Sequence, residues 1–418
     1  MSNRTDIDPA PAKSSLDRRL VVLWLIVFID LLGFGVLIPL IPFYATRLGL
    51  SPGWVTLVIS LHSLMQFAGA PLLGRLSDRY GRRPVLAISM AGHALAYVLL
   101  GFSSSIAMLV ASRLLSGITA GNLSAAYAYV SDITPDYRRS EGMAKISAAF
   151  SLGYASGPLL GGLLAGAQNV YTADLARPAL VAAALSALAV LAILLYLPES
   201  HTQRSSTTGI ANLAEAREHR RAALRDAILI ALLGLSLVVF VFGSMREALL
   251  SLWLHDQLSF STHDIGLVFT VNGLVVALMQ FFVTPRVTHR FGDSQTLLAG
   301  IVLYGISWLM LVMASNMAVV LLAISVGAAA TALFGVSIQT LVSLRSKRDN
   351  RGVVMGLYQA SSSLARFFGA ALSGSLYAGL GPNVPFSLAA IAMLPALLLG
   401  ANIRKRLARA RLQADESQ

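Results

Sequence analysis

Apolar residues in this chain fall in blocks separated by short polar breaks. Each block is roughly 18–25 residues long, enough for a helix to cross a hydrocarbon core of about 30 Å. The pattern predicts twelve spans, at 20–43, 54–73, 84–101, 106–130, 143–166, 178–197, 227–253, 264–285, 295–314, 317–343, 353–379 and 384–402. The short alternating segments of a membrane β-barrel are absent from the pattern. The expected fold is an all-α membrane protein of twelve transmembrane helices. Residues 1–19 are polar, with no apolar stretch of the signal-peptide kind, and read as a cytoplasmic tail.

Composition agrees. Of 418 residues, 56% are hydrophobic and 12% charged, about half the charged share of a soluble domain. A net charge of +12 would suit nucleic-acid binding, but its distribution points elsewhere. Twelve spans place both termini on one side, and the loops of that side hold 27 of the 32 Lys and Arg residues. The clusters are Arg75, Arg79, Arg82 and Arg83, then Arg138, Arg139 and Lys145, then a run ending at Arg225, and the tail from Arg404. The other side has only Arg47 and Arg177 in its loops. By the positive-inside rule, the first side is cytoplasmic. The chain is expected in the cell membrane with both termini inside, without a nucleic-acid partner, and as a monomer. Cysteine is absent, which excludes disulfides and thiolate chemistry.

The longest polar interval, 199–226, divides the spans six and six. Its Asn212–Arg225 stretch reads as helical. The resulting units are an N-terminal bundle at 20–198, a cytoplasmic linker at 199–226, a C-terminal bundle at 227–402 and a tail at 403–418. The halves repeat: Met65-Gln66-Phe67 with Pro71 matches Met279-Gln280-Phe281 with Pro285, and Arg79-Tyr80-Gly81 matches Arg290-Phe291-Gly292. Ser151, Gly157 and Gly162 match Ser363, Gly369 and Gly374. A duplicated six-helix unit predicts two pseudo-symmetric bundles with a site between them near mid-membrane.

Three motifs carry a resemblance. Gly74-Arg-Leu-Ser-Asp-Arg-Tyr-Gly-Arg-Arg83 resembles the loop between helices 2 and 3 of the major facilitator superfamily. Arg113-Leu-Leu-Ser-Gly117-Ile-Thr-Ala-Gly121 resembles its helix 4 motif. Gly153-Tyr-Ala-Ser-Gly157-Pro158-Leu-Leu-Gly161-Gly162 is similar to the helix 5 motif of its twelve-helix drug:H⁺ antiporters. The first half is most similar to tetracycline antiporters. The resemblance implies the major facilitator fold, proton-driven export, a proton-transfer role for Arg113, a gating role for the 74–83 loop and a leak-sealing role for Gly153–Gly162. It departs in helix 3, where tetracycline antiporters carry an acid and this chain reads His93-Ala-Leu-Ala-Tyr97. That argues against tetracycline as the cargo.

Buried charge supplies the candidate chemistry. Asp30 is ten residues into the first span, roughly 15 Å deep at 1.5 Å per residue. A carboxylate there costs about 2.5–3.5 kcal/mol and needs water, a cation or a partner helix. Alternating exposure would switch its proton on and off; a permanent ion pair with Arg113 is the alternative. Glu247, beside Arg246 in the seventh span, is the second proton candidate. Arg366, in the eleventh, calls for an anionic group. Gln66, Asn122, Arg246, Gln339, Gln359 and Arg366 are the expected cavity residues. His62 and His93 titrate in a useful range but read as structural.

At the loop, Gly74 and Gly81 permit close approach and turning, while Asp78, Arg79 and Arg82 supply charge. Asp132, with Arg138 and Arg139, is the expected partner across a cytoplasmic gate. The glycines at 153, 157 and 161, with Gly162, form a smooth stripe for close helix packing, and Pro158 permits a bend. No nucleotide loop, metal-ligand cluster or nucleophile–base set is present, so the chain reads as a non-enzyme without cofactor or metal, driven by a proton gradient. The expected function is export of small, drug-like or amphipathic organic molecules in exchange for protons. The alternatives are a metabolite symporter or uniporter, and a membrane sensor or scaffold.

Overall fold

A computed structural model describes residues 13–135, 139–166, 174–200, 226–346 and 351–416. Parts of the expected tails and linker, including Asn212–Arg225, lie outside the described residues, as do Arg138 and the side chain of Arg139. The described chain is helical, with no strand among its residues. The first half contains α1 (Lys13–Leu37), α2 (Ile41–Arg47), α3 (Pro52–Tyr80), α4 (Arg82–Gly101), α5 (Ile106–Ile118), α6 (Asn122–Ile133), α7 (Arg139–Ala165) and α8 (Ala176–Tyr196). The second contains α9 (Ala227–Leu258), α10 (Thr262–Leu278), a π-helical turn (Met279–Val283), α11 (Thr284–Phe291), α12 (Asp293–Val312), α13 (Met317–Arg345), α14 (Arg351–Leu380) and α15 (Val384–Glu416). Ten of the described helical segments are long and apolar enough to cross a membrane.

Three expected spans are not continuous α-helices, and local chemistry explains each. The first ends at Leu37 and resumes as α2, because Pro39 has no N–H to offer the carbonyl a turn back. The fourth breaks between Ile118 and Asn122, where the Thr119 hydroxyl donates to the Leu115 carbonyl at 2.8 Å and the chain turns between Gly117 and Gly121. The eighth widens into the π-helical turn just before Pro285, whose missing donor leaves the preceding ladder to re-register. The last helix continues to Glu416, past the expected end of its span at 402.

The repeat is visible in the packing. In the first half α1 packs on α7, α4 on α8 and α3 on α5; in the second, α9 packs on α14, α12 on α15 and α10 on α13. Two seams join the halves, α3 against α14 and α7 against α10, again a matched pair. Large apolar side chains point outward from α4, α8 and α15, among them Leu95, Leu191 and Leu398. An apolar exterior of this kind suits hydrocarbon as the surrounding medium.

Candidate functional site

The break in the fourth span shapes the first buried cluster. The Thr119 N–H bonds to Leu115 and the Ala120 N–H to Gly117, so the Ser116 carbonyl loses its helical N–H donor and keeps only the Thr119 hydroxyl, at 3.4 Å. His93 takes the place of that N–H: Nε2 lies 3.1 Å from the Ser116 oxygen, and Nδ1 lies 2.6 Å from Oδ1 of Asp30. Close approach makes this possible. A Cβ on Gly92 would collide with Thr119, and one on Gly117 with the His62 carbonyl, so α5 wedges between α3 and α4. Asp30 and His93 are each 5% exposed and Arg113 is 2% exposed. On the far side of Ser116, its hydroxyl meets Nδ1 of His62 at 3.0 Å.

The Asp30–Arg113 ion pair considered from sequence is not among the described contacts. Arg113 donates from Nε to the Ser112 hydroxyl at 3.3 Å, and its Nη2 is buried without a hydrogen-bond partner. The partner of Asp30 is His93, a residue that reads as structural in the sequence. A signal was available: Asp30 and His93 are each about ten residues into spans one and three, at similar depth.

The second cluster lies where the halves meet. Tyr154 on α7 donates its hydroxyl to Glu247 on α9 at 2.7 Å. Arg366 on α14 donates to Gln66 on α3 at 2.9 Å and to Ser363 at 3.1 Å. Arg246 places its guanidinium 5.8 Å from the centre of the Trp308 ring, with Nη1 buried and without a hydrogen-bond partner. Phe150 and Tyr154 stack at 6.4 Å, and Tyr358, within electrostatic reach of Arg366, adds a further ring. The other cavity candidates are placed apart. Asn122 contacts the Met90 sulfur at 3.8 Å, Gln359 is exposed, and Gln339 lines a separate depression of about 340 Å³ with Thr340, Ser343 and Met355.

The expected gate loop is a helix-to-helix corner. Gly81, at φ 106°, turns α3 into α4. Arg82 reaches Asp78 at 2.6 Å, Ser77 at 3.1 Å and Asp132 of α6 at 3.2 Å. Glu199 accepts the backbone N–H groups of Arg82 at 2.8 Å and Arg83 at 3.2 Å, capping the start of α4. In the sequence Glu199 stands at the head of the linker, yet here it belongs to the corner. These described contacts stay within the first half, so in this structure Asp132 is a partner beside the corner and its contact does not cross to the second half. Arg79 is exposed against the Tyr80 ring, and Gly74 has open space around it, so the close approach expected there is not observed.

The glycine stripe has two faces. A Cβ on Gly153 would lie 2.5 Å from the Phe28 carbonyl and one on Gly157 2.6 Å from Gly35, while Gly161 meets the Val36 carbonyl, all on α1. Gly162 faces Thr262 of α10 in the other half, and the Pro158 carbonyl approaches Gly266. Further described contacts across the seams are Gly374 N–H to the Thr56 hydroxyl at 3.1 Å and Ser151 to Gln280 at 3.2 Å. They run from the face opposite the Gly81 corner down to mid-helix. On the corner face, the described ion pairs stay within one half: Arg82 with Asp132, and Arg345 with Asp226 at 2.6 Å.

Comparison with known proteins adds identity to this geometry. A tetracycline resistance protein of class C from Escherichia coli is 31% identical over 369 residues, covering 87% of this chain and 90% of that one. Major facilitator superfamily domain-containing protein 10 of Mus musculus is 28% identical, covering 95% of each chain. The crystal structure of the human organic anion transporter MFSD10 (TETRAN) superposes with a TM-score of 0.69 at 28% identity, over 92% of this chain and 99% of that one. The sequence profile of the Major Facilitator Superfamily matches residues 23–249 and 247–416. The chain is therefore a multi-pass membrane transporter, not an enzyme, and it belongs to the Major Facilitator Superfamily.

Proposed function

We propose that this transporter exports small organic molecules in exchange for protons, rocking its two six-helix halves about the α3–α14 and α7–α10 seams. The observation that carries the reading is the charged cluster of Tyr154, Glu247, Arg246, Arg366 and Gln66. It draws on both halves at mid-helix, where a bound molecule can be exposed to either side in turn. The positive-inside rule assigns the Gly81 corner and both termini to the cytoplasm of a cell-membrane protein. The described seam contacts then lie on the outer side and at mid-helix, as in a state closed outside. Arg82, Asp78 and Asp132 form the latch that engages the second half when the inside closes, and Glu247 is a second proton-accessible carboxylate. The relative named for tetracycline resistance supports a drug-like cargo. The lack of a carboxylate in span three argues against tetracycline itself.

A susceptibility panel in a pump-deficient host tests the reading. Expression should raise the inhibitory concentration of at least one compound fourfold or more. The same compound should collapse a pH gradient imposed on proteoliposomes that contain the protein. Resistance to nothing on the panel, with an undisturbed gradient, sinks the proposal.

Two arginines against one glutamate in the seam cluster favour a second reading, in which the cargo is an organic anion. The relative named as an organic anion transporter points the same way. Arg366→Gln should then reduce salicylate transport at least tenfold while ethidium transport changes less than threefold.

A further inference from the structure

We propose that the exchanged proton is bound by Asp30 and His93 as one unit, and that losing it forces α1 and α4 apart. The inference deepens the proton-exchange reading and rests on it. A carbonyl oxygen can only accept a hydrogen bond, so the Ser116 carbonyl fixes a hydrogen on Nε2 of His93. The other ring nitrogen then faces a carboxylate oxygen at 2.6 Å. Such a contact needs one hydrogen between the two atoms. It is present either as imidazolium with carboxylate or as neutral imidazole with carboxylic acid, and both forms carry zero net charge. The arrangement is therefore the proton-loaded state of the pair.

Release of that proton to water leaves a carboxylate oxygen against a nitrogen lone pair at hydrogen-bond distance, in a site 5% exposed. Both atoms then repel, and the carboxylate has lost its buried partner. The titratable and charged neighbours of the pair are Arg113 on α5, His62 on α3 and Tyr97 on α4, and Tyr44 on α2 lies beyond them beside Arg113. Of the other helices on α1, α7 brings Gly153 against Phe28 and α8 brings Ala182 against Gly33, neither of them titratable. Arg113, a charged neighbour of His93 with a buried unpartnered Nη2, is the cation that the freed carboxylate would seek, through a hydrogen bond it does not make in the loaded state.

The consequence travels along α1. Asp30 lies between Phe28 and Gly35, which carry the contacts of Gly153 and Gly157 on α7. Tyr154, next to Gly153, donates to Glu247 of the second half. A shift of α1 away from His93 therefore pushes on the helix whose tyrosine holds the seam. His93 is a proton-holding residue here, and Ser116 is the residue that positions it.

The test uses the full-length protein. With nitrogen-labelled histidine in nanodiscs, Nε2 of His93 should keep its hydrogen from pH 5 to 9 while Nδ1 shows a single titration step. Asp30→Asn should move that step by more than one pH unit. Loss of the Nε2 hydrogen in that range, or a step unchanged in Asp30→Asn, overturns the proposal without reference to transport. In proteoliposomes, His93→Gln should lower pH-gradient-driven accumulation of ethidium or salicylate at least tenfold. Substrate-for-substrate exchange, which moves no net proton, should fall at most twofold. Equal retention of both in folded His93→Gln overturns the proposal. If the wild-type protein moves no protons with either probe, the exchange reading fails instead, and the titration still decides whether Asp30 and His93 bind a proton together.

Discussion

The two halves share their packing and differ in their charge. Gly157 faces Gly35 of α1, and its repeat mate Gly369 faces Val241 of α9; both contacts stay within a half. Gly162 meets Thr262 and Gly374 meets Pro52, and both contacts cross between halves. The corners match as well, with Gly81 at φ 106°, ψ 163° and Gly292 at φ 79°, ψ 158°. The buried charges do not repeat. The repeat offset takes Asp30 to the apolar stretch Phe240–Phe242, and it takes Arg366 back to Tyr154. What a duplicated bundle needs for backbone approach is present twice, and what it needs for chemistry is present once. A buried Asp30–His93 pair inside the first half and an arginine-rich cluster at the seam are the asymmetry between otherwise similar bundles.

The sharpest way to break the packing equivalence is to fill it. Valine at Gly157 or at Gly369 places a branched side chain where even a Cβ collides with backbone. Overpacking a tight core costs about 1–3 kcal/mol, and more where backbone cannot yield. Both variants should lose the monodisperse peak on size-exclusion chromatography, while Gly243→Ala, at a position with open space, should keep it. Loss in one half alone would show that the halves do not depend equally on their glycines.

A smaller difference is expected between the ion pairs of the corner face. Arg82 joins α3, α4 and α6 by reaching Asp78, Ser77 and Asp132, with its side chain 13% exposed. Arg345 reaches only Asp226 among the described ion pairs, at 37% side-chain exposure. An exposed pair contributes about 0–1 kcal/mol. Arg82→Ala should cut the transport rate at least fivefold, and Arg345→Ala less than twofold, at matched protein levels. Equal losses would remove the distinction between a latch and a surface pair.

Much of this asymmetry was legible in the sequence, because membrane burial makes its demands locally. Runs of apolar residues marked the spans, and glycines at four-residue spacing marked the close approaches. Asp30, Arg113 and Arg366 stood out because charge is rare at such depth. What was not legible depends on facing and on distant partners. Glu199 caps α4 from 117 positions away, a relation no local pattern contains. The break after Ile118 was hidden because glycine is common in membrane helices, and it left the Ser116 carbonyl without its helical N–H, open to His93. Gln339 and Gln359 were polar in the right spans but on the wrong faces for the seam cluster.

The finest test of the comparison is at the two corners. Both glycines combine a positive φ with ψ near 160°, a region essentially confined to glycine that costs an L-residue about 1–3 kcal/mol. At Gly292 nothing lies within 4 Å of a Cβ, so Gly292→Ala should cost that strain alone. At Gly81 a Cβ collides with the Glu199 carboxylate, which accepts the first two N–H groups of α4. Gly81→Ala should therefore carry the same strain plus the loss of a cap, about another 1 kcal/mol. The extra cost has a specific signature: it should vanish in a Glu199→Ala background, where the carboxylate is already gone. Thermal midpoints of the four proteins measure it. If Gly81→Ala is as costly with Glu199 removed as with it present, the carboxylate is not what separates the corners. The two halves would then differ there in backbone strain alone.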